Sequence, residues 1–155
     1  LLSIDPDTAD STVFTVTADV EDGRFFVTTD VFVYVPELHP LKGYWRETGR
    51  FPCDNGPEFV PEDPINELVF MASGEAWVTW TPFEVYVDYW ADYQTDLDTM
   101  AISVSGASGN YVPDDIDGEG SFAFDAGDLL LQDMWLGSSQ EAMGPAACGH
   151  RFEKF

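Results

Sequence analysis

Hydrophobic and polar residues alternate along most of this chain, and a two-residue period predicts β-strands rather than helices. Two alternating runs, residues 12–20 and 24–35, flank the turn-forming sequence Glu21-Asp22-Gly23 and predict a hairpin. The remaining runs are separated by turns or by loops rich in Gly, Asp and Pro. These runs cover residues 43–51, 66–71, 75–81, 83–95, 100–105, 121–125, 129–135 and 148–152.

About nine or ten short strands joined mostly by tight turns predict an all-β fold built as an antiparallel meander. A meander of that length closes into a barrel or folds as a β-sandwich, because open strand edges invite aggregation. The chain has 155 residues and no break in composition, so we expect a single β domain over residues 1–155. In that domain the hairpin, at about 12–35, precedes a barrel-like part at about 41–152.

Acidic residues dominate the charge, with 29 Asp and Glu against 6 Lys and Arg and a formal net charge of −23. Such a surface repels phosphates, so we predict no nucleic-acid partner. The charge exceeds what solubility requires. It leaves two interpretations, a halophilic protein whose self-repulsion is screened by salt, or a protein that binds a cation or a cationic partner. We favour the first.

The lengths of the apolar runs and the two cysteines indicate in which cellular compartment the protein is found. No apolar run approaches the roughly 18 residues that a membrane-spanning helix needs, so we expect no membrane span. The two cysteines, Cys53 and Cys148, form either one disulfide or two free thiols, and we predict the disulfide. Disulfides persist in oxidising compartments, which favours an extracellular or periplasmic location.

The sequence Gly43-Tyr44-Trp45, at the start of the strand meander, resembles the Gly-x-Trp motif of lipocalins and related calycin barrels. The resemblance covers residues 41–152 and implies a small barrel with a cavity for a small apolar molecule. It implies that Trp45 closes one end of the barrel and that Arg151 packs across its ring. Gly43 would allow another segment to approach the backbone. The predicted disulfide matches the bond that ties the C-terminal segment to the barrel in many lipocalins.

Motifs for catalysis are not found. The two histidines, His39 and His150, are interpreted as loop residues. The chain has no Gly-x-Ser-x-Gly nucleophile elbow, no glycine-rich phosphate loop and no His-Glu-x-x-His zinc motif. Its many carboxylates make a glycosidase pair impossible to single out. We therefore expect a protein that is not an enzyme.

One acidic cluster is a candidate calcium site, and calcium is the only cofactor that the sequence indicates. Oxygen-rich loops of this kind hold calcium in other proteins. The EF-hand spacing is not met, because Pro113 takes the first ligand position and Phe124 the last. A solvated acidic turn is the favoured alternative. The candidate ligands are Asp114, Asp115, Asp117 and Glu119.

Aromatic residues form a candidate ligand surface on the predicted strands 75–81 and 83–95. If one face of strand 83–95 is core, Tyr86 and Trp90 lie outside it among carboxylates, and Trp77 lies on the neighbouring strand. Flat rings beside hydrogen-bonding acids suit sugar rings. The alternative is ordinary cross-strand aromatic pairing, which stabilises sheets.

Three classes of function remain open. The first is an extracytoplasmic, non-catalytic, lipocalin-like protein that binds a small apolar ligand, and we take it as our expectation. The second is a carbohydrate-binding β-module, with calcium if the acidic cluster is a site. The third is a structural subunit of a secreted homo-assembly, in which the N-terminal hairpin pairs between chains.

Overall fold

The computed structural model describes residues 5, 7–20, 25–81, 87–140 and 147–155. In these residues the chain forms ten β-strands and a single short 3₁₀-helix, Pro36–Leu38, so the predicted all-β class is confirmed. In chain order the strands are β1 (Thr12–Val20), β2 (Phe25–Val33), β3 (Gly43–Arg50), β4 (Glu67–Phe70), β5 (Glu75–Thr79), β6 (Tyr89–Asp96), β7 (Ala101–Gly109), β8 (Glu119–Asp125), β9 (Asp128–Gln132) and β10 (Gly149–Lys154).

The chain divides into two compact units, Leu1–Pro40 and Leu41–Phe155. The first unit holds β1 and β2, which form the antiparallel hairpin that the alternation predicts, with Thr12 opposite Val33. In the same unit the Nε2 atom of His39 lies 3.1 Å from the carboxylate oxygens of Asp10.

The second unit is a closed barrel of eight antiparallel strands. Each strand from β3 to β9 pairs with the next along the chain, and β10 returns to pair with β3. The predicted meander therefore closes as a barrel, and closure pairs the two edges that an open sheet would expose. Among the residues described, no helix is long and apolar enough to cross a membrane.

Strand β7 extends beyond the predicted run 100–105. Its C-terminal part contains glycines and lacks the hydrophobic–polar alternation on which the prediction was based. Gly106 has a φ of +69°, a left-handed conformation, and the β6–β7 register shifts between Trp90 and Asp92. A bulge of this kind continues the pairing to Gly109. A Cβ atom at Gly109 would lie 2.4 Å from the carbonyl oxygen of Asp88. The predicted start of β6, residues 83–86, lies outside the described residues.

The connections of the barrel differ between its two ends, because antiparallel strands place alternate connections at opposite ends. Residues 71–74, 97–100 and 126–127 are short turns at one end, which we call the turn end. The longer connections lie at the other end, which we call the loop end, and run from 51 to 66, 80 to 88, 110 to 118 and 133 to 148. Their described residues are 51–66, 80–81, 87–88, 110–118, 133–140 and 147–148. The turn at residues 126–127 has the backbone conformation of a two-residue β-hairpin turn, since Ala126 and Gly127 both have positive φ.

Inward-facing residues of the strands form one hydrophobic core. An eight-stranded barrel is just wide enough for side chains to fill it or for one small ligand. Here large side chains occupy much of the interior. The largest that are fully buried are Trp45, Tyr89, Phe70, Phe122 and Phe152.

Trp45 packs in the core near the turn end, and its exposed fraction is only 2%. Its Nε1 atom donates to the carbonyl oxygen of Leu41 at 2.7 Å. Lys154 places its Nζ atom 5.1 Å from the centroid of the Trp45 ring. A Cβ atom at Gly43 would lie 2.7 Å from Cε of Lys154, so the close approach expected at this glycine occurs.

Arg151 does not supply the cation on Trp45, contrary to the expectation from the resemblance. It lies between His150 and Phe152, which are fully buried, so the two-residue period of β10 directs Arg151 outward. On the outer side its guanidinium pairs with three carboxylates, those of Glu58, Asp125 and Asp128. Lys154 lies two residues after Phe152, so its side chain is on the same side of β10 as that of Phe152, and it contacts the Trp45 ring.

Candidate functional site

The loop end is held together first by a covalent bond. Cys53 and Cys148 form the predicted disulfide, which links connection 51–66 to connection 133–148 across 95 residues of sequence. Backbone hydrogen bonds flank it, since the Cys148 N–H donates to Phe51 O at 2.8 Å and the Phe51 N–H donates to Gly149 O at 3.0 Å. The bond and the backbone pairing together fix where these two long connections meet.

A buried polar network lies beside the disulfide and centres on the carboxylate of Glu47. Arg50 donates to it through Nε at 2.9 Å and through Nη2 at 3.0 Å. The backbone N–H of Ile65 donates at 2.8 Å, and Nδ1 of His150 lies 2.5 Å from Oε1. Arg50 also donates to the Asp63 carboxylate at 3.0 Å. The network therefore joins β3, β10 and connection 51–66.

The tautomer of His150 follows from its two partners. The backbone N–H of Leu136 donates to Nε2 at 3.2 Å, so Nδ1 carries the proton that is donated to Glu47. The Trp135 ring stacks on the imidazole with centroids 4.6 Å apart. His150 is fully buried in β10, so its interpretation as a loop residue was wrong. With both nitrogens engaged, His150 holds Trp135 and Leu136 against the barrel.

The electrostatics of Glu47 are set by two opposing effects. Burial alone would raise the pKa of Glu47, but the hydrogen bonds from His150 and Arg50, together with the positive charge of Arg50, outweigh it and hold that pKa below its ordinary value. A buried carboxylate that stays ionised needs such partners. The network is thus a structural support for the loop end.

The predicted calcium ligands lie in connection 110–118 and at the start of β8. The Asp115 carboxylate accepts hydrogen bonds from the Ser138 backbone, the Ser138 hydroxyl and the Trp135 indole, at 2.9, 2.6 and 3.1 Å. The backbone of Asp117 pairs with Trp135. In the described part of the chain, no group of three or more His, Cys, Asp or Glu residues could hold a metal ion. Asp115 therefore fastens one loop to another, while Asp114 and Glu119 are exposed.

The indole of Trp80 lies buried at the loop end, just beyond β5. Its backbone N–H donates to the Asp88 carboxylate at 2.8 Å, and its carbonyl accepts from the Asn66 side chain. Its ring lies 5.9 Å from the rings of Tyr89 and Tyr111, centroid to centroid. The indole Nε1 is buried and has no hydrogen-bond acceptor among the described residues. Trp80 thus presents an unpaired donor beside two aromatic rings.

The two tyrosines beside Trp80 are anchored by their hydroxyls. Tyr89 donates to Leu136 O at 2.6 Å, and Tyr111 donates to Ser138 O at 2.9 Å. Burial, with the negative charge of Asp115, raises the pKa of Tyr89, so this hydroxyl stays protonated. Because both hydroxyls are used in these bonds, the rings offer apolar surface to Trp80.

A buried donor without a partner is an informative feature, because leaving one unsatisfied costs about 1–3 kcal/mol and native proteins contain few. An acceptor from a water molecule or a ligand would satisfy it. Trp80 Nε1, buried near two aromatic rings and without an acceptor among the described residues, is therefore the candidate contact atom of this site.

Two of the aromatic residues predicted to bind sugar, Trp77 and Trp90, lie on the outer face of the barrel. Trp77 of β5 and Trp90 of β6 are directly opposite each other in the sheet. Trp90 is 42% exposed, and the Trp77 indole donates to the Glu75 carboxylate. Tyr86 lies outside the described residues. Two of the three predicted residues are therefore cross-strand neighbours.

Sequence reasoning missed Trp80 and Glu47, although a signal for each was present. Trp80 has the same parity as Ala76 and Val78, which are inward-facing residues of β5. Glu47 comes two residues after Trp45, so it faces the same interior. A carboxylate at an inward position demands buried partners. Which partners these are depends on the fold, since Glu47 and His150 lie 103 residues apart.

Comparison with known proteins gives no relative for this fold and site. No family model, no curated protein and no solved structure matches the chain.

Proposed function

We propose that this chain is a non-catalytic binding protein that holds one small, largely apolar molecule at the loop end of its barrel, beside Trp80. The observation that carries the proposal is the buried Nε1 donor of Trp80, which has no acceptor among the described residues. Aromatic rings on two sides supply apolar contact, and the single donor supplies orientation. Such a combination of apolar walls with few polar groups is typical of small-molecule sites.

The same surroundings limit the ligand. Much of the barrel interior holds large side chains, so the ligand is small and sits near the loop end rather than deep in the barrel. The carboxylates of Asp88 and Asp115 lie at this end, and the chain as a whole carries a net charge of −23. An anionic ligand would be repelled. We therefore propose a neutral molecule that carries at least one acceptor atom, such as a carbonyl oxygen.

The barrel also supports a lipocalin-like interpretation and an extracytoplasmic location. Lipocalin-like features are the closed eight-stranded meander and the tryptophan–cation contact between Trp45 and Lys154. The disulfide between Cys53 and Cys148 favours the extracellular space or the periplasm, where such bonds persist. The large negative charge favours a saline environment.

Titration with Nile red, a neutral apolar dye that carries a carbonyl oxygen, tests the proposed site. We expect saturable, one-to-one binding with enhanced emission. Trp80→Phe removes the N–H and keeps an aromatic ring, so we expect affinity to fall about five- to tenfold, the effect of one lost hydrogen bond. Tyr93→Phe is the matched control. It removes one polar group from another aromatic residue of the barrel, whose hydroxyl is already bonded to Met71 O at 2.8 Å.

Two outcomes would contradict the proposal. One is that Nile red shows only non-saturable partition to the wild-type protein. The other is that Trp80→Phe binds the dye as tightly as Tyr93→Phe does.

A further inference from the structure

We propose that the outer face of the barrel carries a second binding site, for an extended neutral glycan, on a row of side chains that crosses strands β3 to β7. This row is separate from the loop end. Its members are directly opposed residues in successive strands, and we call them the outer row. They are Tyr44, Val69, Trp77, Trp90 and Ser108.

The outer row faces away from the core because each of its aromatic members lies next to inward residues. Trp77 lies between Ala76 and Val78, and both of these are buried. By the same alternation Tyr44 and Trp90 face outward, and they are 52% and 42% exposed. Exposed rings of this size in a row are unusual on a surface that is otherwise rich in charge.

Val69 lies in the middle of the outer row, between its aromatic members Tyr44 and Trp77. Val69 is only 4% exposed although it has outward parity, and its two partners in the sheet are Tyr44 and Trp77. The Trp77 ring is held in place, because its indole donates to the Glu75 carboxylate. A ring that is fixed before binding loses little side-chain entropy when a ligand stacks on it.

Polar groups flank the rings on the same face. Glu75 is directly opposite Asp92, and Asp92 is opposite Ser105 of β7, which places carboxylate and hydroxyl oxygens beside the aromatic row. Asp92 and Ser105 are exposed. The C–H face of a pyranose ring stacks on an aromatic ring while its hydroxyls donate to such oxygens. The combination therefore matches a sugar better than a purely apolar partner.

The dimensions and charge specify the kind of glycan. Strands lie about 4.8 Å apart, so the three steps from β3 to β6 span about 14–15 Å, the length of about three extended pyranose rings. A polyanionic glycan would be repelled by a protein with a net charge of −23. The partner is thus a neutral chain of several sugars rather than a monosaccharide.

Affinity electrophoresis in native gels tests this site with named probes, namely the neutral polymers laminarin, xyloglucan, galactomannan and hydroxyethyl cellulose, with alginate as the anionic contrast. We expect at least one neutral polymer to retard the wild-type protein and alginate to leave its mobility unchanged. Trp90→Ala and Trp77→Ala should each weaken the retardation at least tenfold. Phe59→Ala, which removes an aromatic side chain that is 44% exposed elsewhere, is the matched control.

Further measurements keep the result interpretable. Trp90→Phe retains a smaller ring, so it should keep part of the retardation even if the alanine variants fold poorly. Saturating Nile red should leave the retardation unchanged, because the dye and the glycan occupy different sites. This competition separates failure of the glycan site from failure of the loop-end site.

Three outcomes would overturn the glycan site. In the first, none of the four neutral polymers retards the wild-type protein. In the second, the double variant Trp77→Ala/Trp90→Ala is retarded as strongly as the wild type. In the third, light scattering shows a wild-type dimer that these substitutions convert to monomers, because the rings would then form an interface between copies of the chain.

Discussion

The two ends of the barrel are built from different interactions. At the turn end, short turns join the strands and Trp45 packs in the core, with its indole N–H bonded to Leu41 O. At the loop end, long connections are tied by the disulfide and by the buried Glu47–Arg50–His150 network. The turn end therefore depends on packing, and the loop end on a covalent bond and on charge-assisted hydrogen bonds.

The two ends of the barrel also differ in whether the polar atoms of their buried aromatic residues have hydrogen-bond partners. Two interior aromatic residues of the barrel, Trp45 and Tyr93, have bonded polar atoms. The indole Nε1 of Trp80, at the loop end, has no acceptor in the part of the chain that the structure describes. Among the described residues, Trp80 Nε1 is the buried side-chain donor without an acceptor, and for this reason we propose ligand binding at the loop end.

The largest expected effect is at the turn end. Trp45→Ala removes a fully buried side chain and should lower the free energy of unfolding by about 3–5 kcal/mol. Urea denaturation followed by circular dichroism measures it. Phe124→Ala, an aromatic residue near the same end that is 44% exposed, is the control and should cost about 1 kcal/mol or less. Equal stability of Trp45→Ala and wild type would show that packing does not dominate this end.

The next effect concerns the charge network of the loop end. Glu47→Gln removes the buried carboxylate that Arg50 and His150 share and leaves the Arg50 guanidinium with Asp63 as its acidic partner, so it should cost about 2–3 kcal/mol at neutral pH. Asp125→Asn breaks a pair of Arg151 on the surface and should cost under about 1 kcal/mol. If both substitutions have the same small effect in denaturant titrations, the network does not support the loop end.

The pH dependence of stability follows from the same carboxylate. The pKa of Glu47 is lowered by folding, so the ionised form stabilises the folded state above the unfolded value, near 4.5, and this stabilisation is lost as pH falls towards the lower folded value. We expect wild-type stability to fall below about pH 4.5 more steeply than that of Glu47→Gln. Thermal unfolding between pH 7 and pH 3 tests this, and parallel profiles would contradict it.

A smaller effect contrasts Tyr93 with Trp80. Burial raises the pKa of Tyr93 to about 12, and its hydroxyl donates to Met71 O. Tyr93→Phe should therefore lower stability by about 1 kcal/mol through one lost hydrogen bond. Trp80→Phe loses no such bond and should affect ligand affinity instead. Stability and Nile red affinity are measured on both variants. We expect Tyr93→Phe to lose stability but keep its affinity for the dye, and Trp80→Phe to lose affinity but keep its stability. Equal changes in both quantities for the two variants would contradict this assignment.

Much of the fold follows from local sequence signals, and the site does not. The alternation of hydrophobic and polar residues places Trp45 and Val78 inward, and turn residues such as Gly127 mark the hairpins. Short stretches of sequence are therefore enough to predict the meander. The disulfide is predictable because the chain has only two cysteines. The partners of Glu47 depend instead on how β10 closes against β3, which brings together residues about a hundred positions apart.

Arg151 and Gly106 show how strand parity and backbone conformation limit sequence reasoning. The resemblance predicts that Arg151 packs on Trp45, because Arg151 lies near the C-terminal end. Its position in the two-residue period of β10 directs its side chain outward instead, and Lys154 makes the contact with the Trp45 ring. At Gly106, a positive φ extends β7 by a bulge that alternation cannot reveal. That Trp80 Nε1 has no acceptor among the described residues cannot be read from the sequence, because it depends on where every neighbouring acceptor lies in the fold.

The most direct test of the loop-end site compares two probes of similar shape, 2-acetylnaphthalene, which has a carbonyl acceptor, and 2-isopropylnaphthalene, which has none. Calorimetric titration of the wild-type protein should show the ketone binding about five- to tenfold more tightly, the effect of one hydrogen bond. In Trp80→Phe that preference should disappear, and only the ketone should shift the indole N–H resonance of Trp80. Equal binding of the two probes by the wild type, or a preference that survives in Trp80→Phe, would contradict the assignment of ligand binding to Trp80.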